Sequence, residues 1–427
     1  MIRSFLPCLA SSGAVHGKAY DMHLGQLGRI RRTLKIATAE TAGNAVFAAI
    51  ALGPLMTGFL LAWGASDFQL GLFASLPYWV AFTELIGAYC VDRFAQQRKW
   101  IVACTGLFAR GIFFLVAGLA WCAGFSATWF LPLFFVLYTL FQVFYHAGGP
   151  GWTAWMAVLV PAQIRGRYLG VRNRIVDATG LVAMLLAGSA LDAFRSAGLE
   201  RQGFSMLHGI AGLSGIACFL LLKVQYDPGH SSRLPQLKWG YLLASLKDVR
   251  FRCLAGINLI WLAGLTVYTP FAEAHVIKNM HWSFKGVSAL VIVSTLASVL
   301  ASRYWGKLSD RIGAKRVMGL CMAGLLCVPL LLAVCPMDHV WLVYGCWGLM
   351  GLFTSGYGLT MFGLTLAYLP ADGRAMGSAL LATLAGPVVA VASLLAGWGA
   401  ELAGGYGVLF VVSIAIRIPA FLFLKKL

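Results

Sequence analysis

A handful of ionisable side chains sit inside stretches of this sequence that are otherwise apolar. Charge in such surroundings is costly, so each marks a function unless it is paired. Glu40 lies early in the first apolar run, where a carboxylate can take up a proton or a cation, or pair with a nearby arginine. Glu84 and Arg110 fall at similar depth on consecutive runs, by a rise of about 1.5 Å per residue. A buried ion pair is the leading expectation for them, with a proton relay as the alternative. His146 directly precedes Gly148-Gly149-Pro150-Gly151, a sequence expected to kink and break a helix. It is either a satisfied structural histidine or a ligand or proton carrier. Glu273 and His275 diverge by about 200° on a regular helix, unless Pro270 distorts it. Together with His281 they make a possible outer cation site; the alternative is an ordinary polar helix end. Tyr357, Thr360 and Met361 are candidate cavity residues, and Trp152 and Trp155 candidate wall residues. Arg417 is expected to snorkel or pair, and Asp177 to be interfacial.

The elements that must position these groups follow from composition. The chain has 427 residues, 60% hydrophobic and 11% charged, too apolar for a soluble domain. A membrane helix needs about 20 apolar residues, and twelve such runs are present, at 36–63, 70–91, 100–122, 129–160, 175–194, 204–222, 253–276, 287–304, 317–335, 340–369, 376–399 and 405–424. The expected fold is therefore an all-α integral membrane protein with twelve transmembrane helices. A basic tail spans 1–35, one six-helix half 36–224, a polar central loop 225–252, the other half 253–424, and a short end 425–427. Within the central loop, 239–249 could form an amphipathic surface helix. The net charge of +18 is not a nucleic-acid patch. Most Lys and Arg fall in tails and loops that one topology puts on one side, while Arg195, Arg201, Lys278 and Lys285 fall on the other. That asymmetry places both termini in the cytoplasm. The cysteines are scattered singly without ligand spacing, so neither disulfides nor a zinc site is expected.

One turn occurs twice. Gly306–Arg316 reads GKLSDRIGAKR, and a degraded copy, AYCVDRFAQQR, lies half a chain earlier at Ala88–Arg98. One interval relates Asp92 to Asp310, Arg93 to Arg311 and Arg98 to Arg316. Pro161, Arg165 and Gly149 likewise match Pro370, Arg374 and Gly358, as two parallel repeats predict. The pattern G-x-x-x-D-R-x-G-x-[KR]-R between the second and third helices of a half resembles the signature loop of the major facilitator superfamily. The second copy keeps Gly306, Asp310, Arg311, Gly313 and Arg316; the first has Ala88 and Ala95 where glycine is preferred, so a looser turn is expected there. The resemblance implies two six-helix halves around a central cavity, and alternating access. It implies that Asp92 caps the eleventh helix and Asp310 the fifth, latching the cytoplasmic gate. Arg165 and Arg374, just before those helices, are placed to pair with these aspartates or with lipid head groups.

No ATP-binding loop, Ser-His-Asp set or metal-protease helix is present, so an enzyme is not expected and no cofactor is implied. The expectation is a secondary transporter of a small molecule or ion, proton-coupled, monomeric and embedded in the lipid bilayer. Gly151–Arg174 resembles a group of bacterial major facilitator proteins that includes magnetosome-membrane proteins associated with iron. That resemblance points to iron or another metal, in a bacterial inner membrane or a magnetosome membrane derived from it. The alternatives are an organic-solute or drug efflux carrier, and a receptor or assembly factor on the same fold that moves nothing.

Overall fold

The computed structural model describes residues 17–160, 164–227, 247–334, 339–368 and 374–427. The expected surface helix at 239–249 lies largely outside them. Among the described residues eleven helices are long and apolar enough to cross a membrane. They are α1 Gly28–Ala62, α2 Asp67–Val91, α3 Arg98–Cys122, α4 Phe130–Leu159, α5 Arg165–Ser196, α6 Glu200–Val224, α7 Val249–Asn279, α8 Phe284–Ile312, α9 Ala314–Val334, α11 Arg374–Ala403 and α12 Gly407–Lys426. The twelfth, α10, spans Val340–Tyr368; it has crossing length, and Gly, Trp and Tyr dilute its hydropathy. With twelve crossings the two ends of the chain lie on one face, called here the basic face.

The spans follow the apolar runs, with informative differences at their ends. α5 starts at Arg165 and α8 continues to Ile312, so residues read as loop from sequence are helical. Arginine is a good helix former, and long basic side chains let a helix run past the apolar layer. The interruptions also fall elsewhere than expected. α4 is one continuous helix through Pro150. Its glycines admit neighbours, since a methyl on Gly151 would come within 3 Å of Val102 and Val91. Breaks occur instead in α1 before Pro54, in α2 between Trp79 and Thr83, and in α12 before Ala420, while α7 ends in a π-helical turn, His275–Asn279. Proline disfavours helix in the residue before it, which accounts for the Gly53-Pro54 break.

Packing repeats across the two sets of six. α3 lies on α6 as α9 lies on α12, α2 on α4 as α8 on α10, and α1 on α5 and α6 as α7 on α11 and α12. The sets meet through α2 with α11 and α5 with α8. Buried apolar side chains at the face opposite the basic one form a single cluster drawn from both sets, including Phe59, Phe204, Phe284 and Tyr406. Toward the basic face the clusters separate. One, around Trp155 and Val102, belongs to the first six helices; the other, around Trp261 and Val317, belongs to the last six. Burial of apolar area thus joins the halves at one face and leaves them apart at the other.

Candidate functional site

Toward the basic face α1, α3, α4, α5 and α6 line a cavity of about 270 Å3. Glu40 and Asn44 are one turn apart on α1 and share a face. Glu40 is 5% exposed, with Arg110 of α3 and Arg172 of α5 within electrostatic range of its carboxylate. Arg110 donates through Nη2 to Asn44 Oδ1, and Nη1 reaches Gly106 O at 3.4 Å. It fits because α6 offers Gly215, where a methyl would lie 2.4 Å from Arg110 Cβ. Arg172 donates from Nε to Thr41 Oγ1 at 3.1 Å, and its guanidinium lies 4.6 Å over the ring of Trp152. Tyr145 and Phe144 add aromatic wall. The sequence singled out Glu40, Arg110 and Trp152 but missed Arg172, which it read as loop. The stretch from Arg165 to Ile175 contains no proline, the one sign that the helix begins earlier.

The expected Glu84–Arg110 pair does not form. α2 packs on α4 and α3 on α6, so Glu84 faces α4 and its Oε1 lies 2.8 Å from His146 Nδ1. Sequence neighbours here are not spatial neighbours, and similar depth could not reveal it. His146 is thus half of a carboxylate–imidazole pair. Trp155 is fully buried. Tyr357 and Met361 pack in the basic-face core of the second half, Tyr357 stacked on Trp261 at 5.2 Å, while Thr360 bonds to the backbone of its own helix. Arg417 does not snorkel. It is fully buried, lies 5.1 Å over Trp261 and 5.0 Å over Tyr268, and bonds to Ser413.

Glu273 and His275 turn to different helices. Glu273 Oε2 accepts from Thr57 Oγ1 of α1 at 3.2 Å, while the His275 ring stands edge-on to Tyr406 and Phe410 of α12. Their near-opposite headings follow from two-residue spacing on a helix, which Pro270 leaves intact. His281 is exposed in the following turn. Among the described residues no group of three or more His, Cys, Asp or Glu could hold a metal ion.

At the closed face each of the two joining helix pairs carries a carboxylate on the other helix's first turn. Asp192, near the end of α5, accepts from the backbone N–H groups of Phe284 and Lys285 at 2.8 Å each. Glu401, near the end of α11, accepts from Phe68 N of α2 at 3.0 Å. Both take up amides that a helix start leaves unpaired. Asp67 of α2 adds bonds to Tyr406 Oη at 2.6 Å and Lys278 Nζ at 3.3 Å. The backbones approach closely, for a methyl on Gly397 would lie 2.6 Å from Asp67 O and one on Gly188 2.4 Å from Ser288 Oγ.

At the basic face the two copies of the repeated turn differ. Gly313 ends α8 at φ 89°, ψ 145°, a region open essentially to glycine. With Ala95 at that place, the first copy passes through a short 3-10 turn, Ala95–Gln97. Gly306 faces Leu359, and Asp310, Arg311, Arg316 and Arg93 are exposed. Arg98 is 1% exposed and paired with Asp227, where α6 gives way to the central loop. The side chains of Asp92, Arg165 and Arg374 lie outside the described part of the structure.

Residues 254–426 match the family model described as Major Facilitator Superfamily. No curated protein matches the chain. Among solved structures, the nucleoside transporter NupG in its D323A form superposes with a TM-score of 0.72 at 13% identity, covering 93% of this chain and 99% of that one. A bacterial homolog of the human lysosomal transporter Spinster, inward-facing and unoccupied, gives 0.67 at 14% identity over 93% and 96%. A bacterial homologue of the iron transporter ferroportin gives 0.64 at 16% identity when inward-facing, over 94% and 98%. Facing outward, that homologue gives 0.53 at 17% identity, over 93% and 98%. The second half matches the family's sequence model, and the whole chain shares the fold of these solved transporters.

Proposed function

We propose that this protein is a secondary active transporter working by alternating access, with the basic face in the cytoplasm and Glu40 coupling transport to protons. The observation that carries this reading is a buried carboxylate facing two arginines in a cavity at the side where the halves part. A proton on Glu40 changes the net charge of that cavity by one unit, and so alters what it can hold. The same helix pairs serve both gates. α2 with α11 and α5 with α8 touch at the far face in the inward-facing state; in the alternate state Asp92 and Asp310 cap α11 and α5 at the cytoplasmic face, with Arg165 and Arg374 beside them.

The cargo that fits best is a small organic solute in a bacterial cytoplasmic membrane. Iron handling in a magnetosome-type membrane is the other cargo, and the donor set favours it less. The cavity holds two cations against one acid, and Glu273 and His275 point apart. The test is proteoliposomes with a pH-sensitive dye inside, challenged with solute panels and separately with ferrous ion. Proton movement should follow an organic solute in wild type and vanish in Glu40→Gln, with solute exchange retained. Full coupled flux in Glu40→Gln would remove Glu40 as the coupling group, and ferrous-driven flux would restore iron.

A further inference from the structure

The cavity's own charges say which solutes it can take, given that this cavity is the transport site. Glu40 is faced by Arg110 from α3, by Arg172 and Tyr168 from α5, and by Cys218 from α6, and Tyr145 of α4 lines the same cavity. Arg110 and Arg172 are the two cations in this set and Glu40 the one acid. A second arginine in apolar surroundings is costly unless its charge is met. Arg110 is 8% exposed and its Nε has no partner, a buried donor that costs free energy until something accepts from it. Arg172 is held against the wall by Trp152 and Thr41. The remaining wall includes three aromatic rings, Phe144, Tyr145 and Trp152, and the volume, about 270 Å3, is just under the roughly 300–1,000 Å3 of pockets for drug-sized ligands.

We infer that the cavity binds a small anion, a carboxylate or phosphate group on a flat apolar body, between Arg110 and Arg172. The solute's anionic group and the Glu40 carboxylate compete for the same guanidiniums. When Glu40 is protonated, the two arginines are left without an internal counter-charge and the solute supplies it. Proton and anion therefore load together. One proton and one negative charge make an electroneutral cargo, so a pH gradient drives accumulation with little dependence on membrane potential.

Binding is measured by titration calorimetry on the purified full-length protein in nanodiscs, with benzoate, phenylphosphonate, benzamide and benzylamine. It is run at alkaline pH and at an acidic pH where benzoate remains ionised. Benzoate and phenylphosphonate should bind at acidic pH and weaken about tenfold or more at alkaline pH, the size of losing one charge-assisted contact. Glu40→Gln should bind both with no such pH dependence. Arg172→Gln should lose about tenfold, and Arg172→Lys, which keeps the charge but not the stack on Trp152, should fall between. Binding of benzamide or benzylamine as tight as benzoate, binding of neither anion at either pH, or an unaltered pH dependence in Glu40→Gln would overturn the inference. Calorimetry needs no transport, so the two ideas fail separately. Anion binding with full coupled flux in Glu40→Gln removes the coupling role alone; coupling lost in Glu40→Gln without anion binding removes the anion site alone.

Discussion

Replacing Asp192 by alanine tests whether the closed face is held by carboxylates reaching across to helix starts. With the halves joined at this face, Asp192 accepts two amide hydrogens of α8 at 2.8 Å each. Ser283, the residue before α8, already caps that helix through Gly286 N at 3.1 Å, so α8 keeps a cap of its own without Asp192. The carboxylate contributes only while the halves are joined, so its loss falls on the conformational equilibrium rather than on folding. Removing a capping side chain costs about 0.5–2 kcal/mol, which shifts the balance toward a state open at this face by about 2- to 30-fold. The assay is double electron–electron resonance with spin labels at Leu199 and Trp341, exposed sites near the closed face in opposite halves, after replacing exposed Cys122 and Cys327. Asp192→Ala should add or enlarge a long-distance population, and Asp192→Asn, which keeps an acceptor but not the charge, should do so less. A distribution unchanged in a folded Asp192→Ala protein would refute the latch and leave closure to the apolar cluster and the glycine contacts.

Gly397→Val should have a larger effect in the same assay, because its Cβ would lie 2.6 Å from Asp67 O and α2 cannot then approach α11. Gly313→Ala should cost about 1–3 kcal/mol, read as a lower melting temperature in detergent, since Gly313 sits at φ 89°; Ala95→Gly in the first copy should not repay it. Arg98→Gln, which removes the buried member of the Arg98–Asp227 pair, should lower the melting temperature in detergent, and adding Asp227→Asn should restore part of the loss. Glu84→Gln, which removes the charge beside His146, should leave proton coupling intact where Glu40→Gln abolishes it.

Much of the architecture was legible in the chain. Apolar runs of membrane length, a basic bias on alternate loops and a turn repeated at a fixed interval each follow from local physics. Lipid offers no partner for a backbone amide, so an apolar run of that length has to be helical. Glu40 was legible for the same reason, as a charge where charge is costly. Arg172 was not, because the sequence gives no clean end to a helix that leaves the membrane on arginines. Nor did Gly148-Gly149-Pro150-Gly151 break α4. Its glycines serve close packing on α2 and α3, and packing partners are not written in the run itself.

The sequence by itself determined twelve helices, the basic bias of alternate loops, the repeated turn and the acids and bases that must find partners. Only the tertiary structure decided the partners. Glu84 meets His146 rather than Arg110 because α2 packs on α4. Glu273 and His275 separate because two residues on a helix face nearly opposite ways. Asp192 and Glu401 reach the first turns of α8 and α2 because closure at one face brings those helix ends together. Helix formation is settled within a few residues of each amide, whereas the pairing of charges depends on which helices touch.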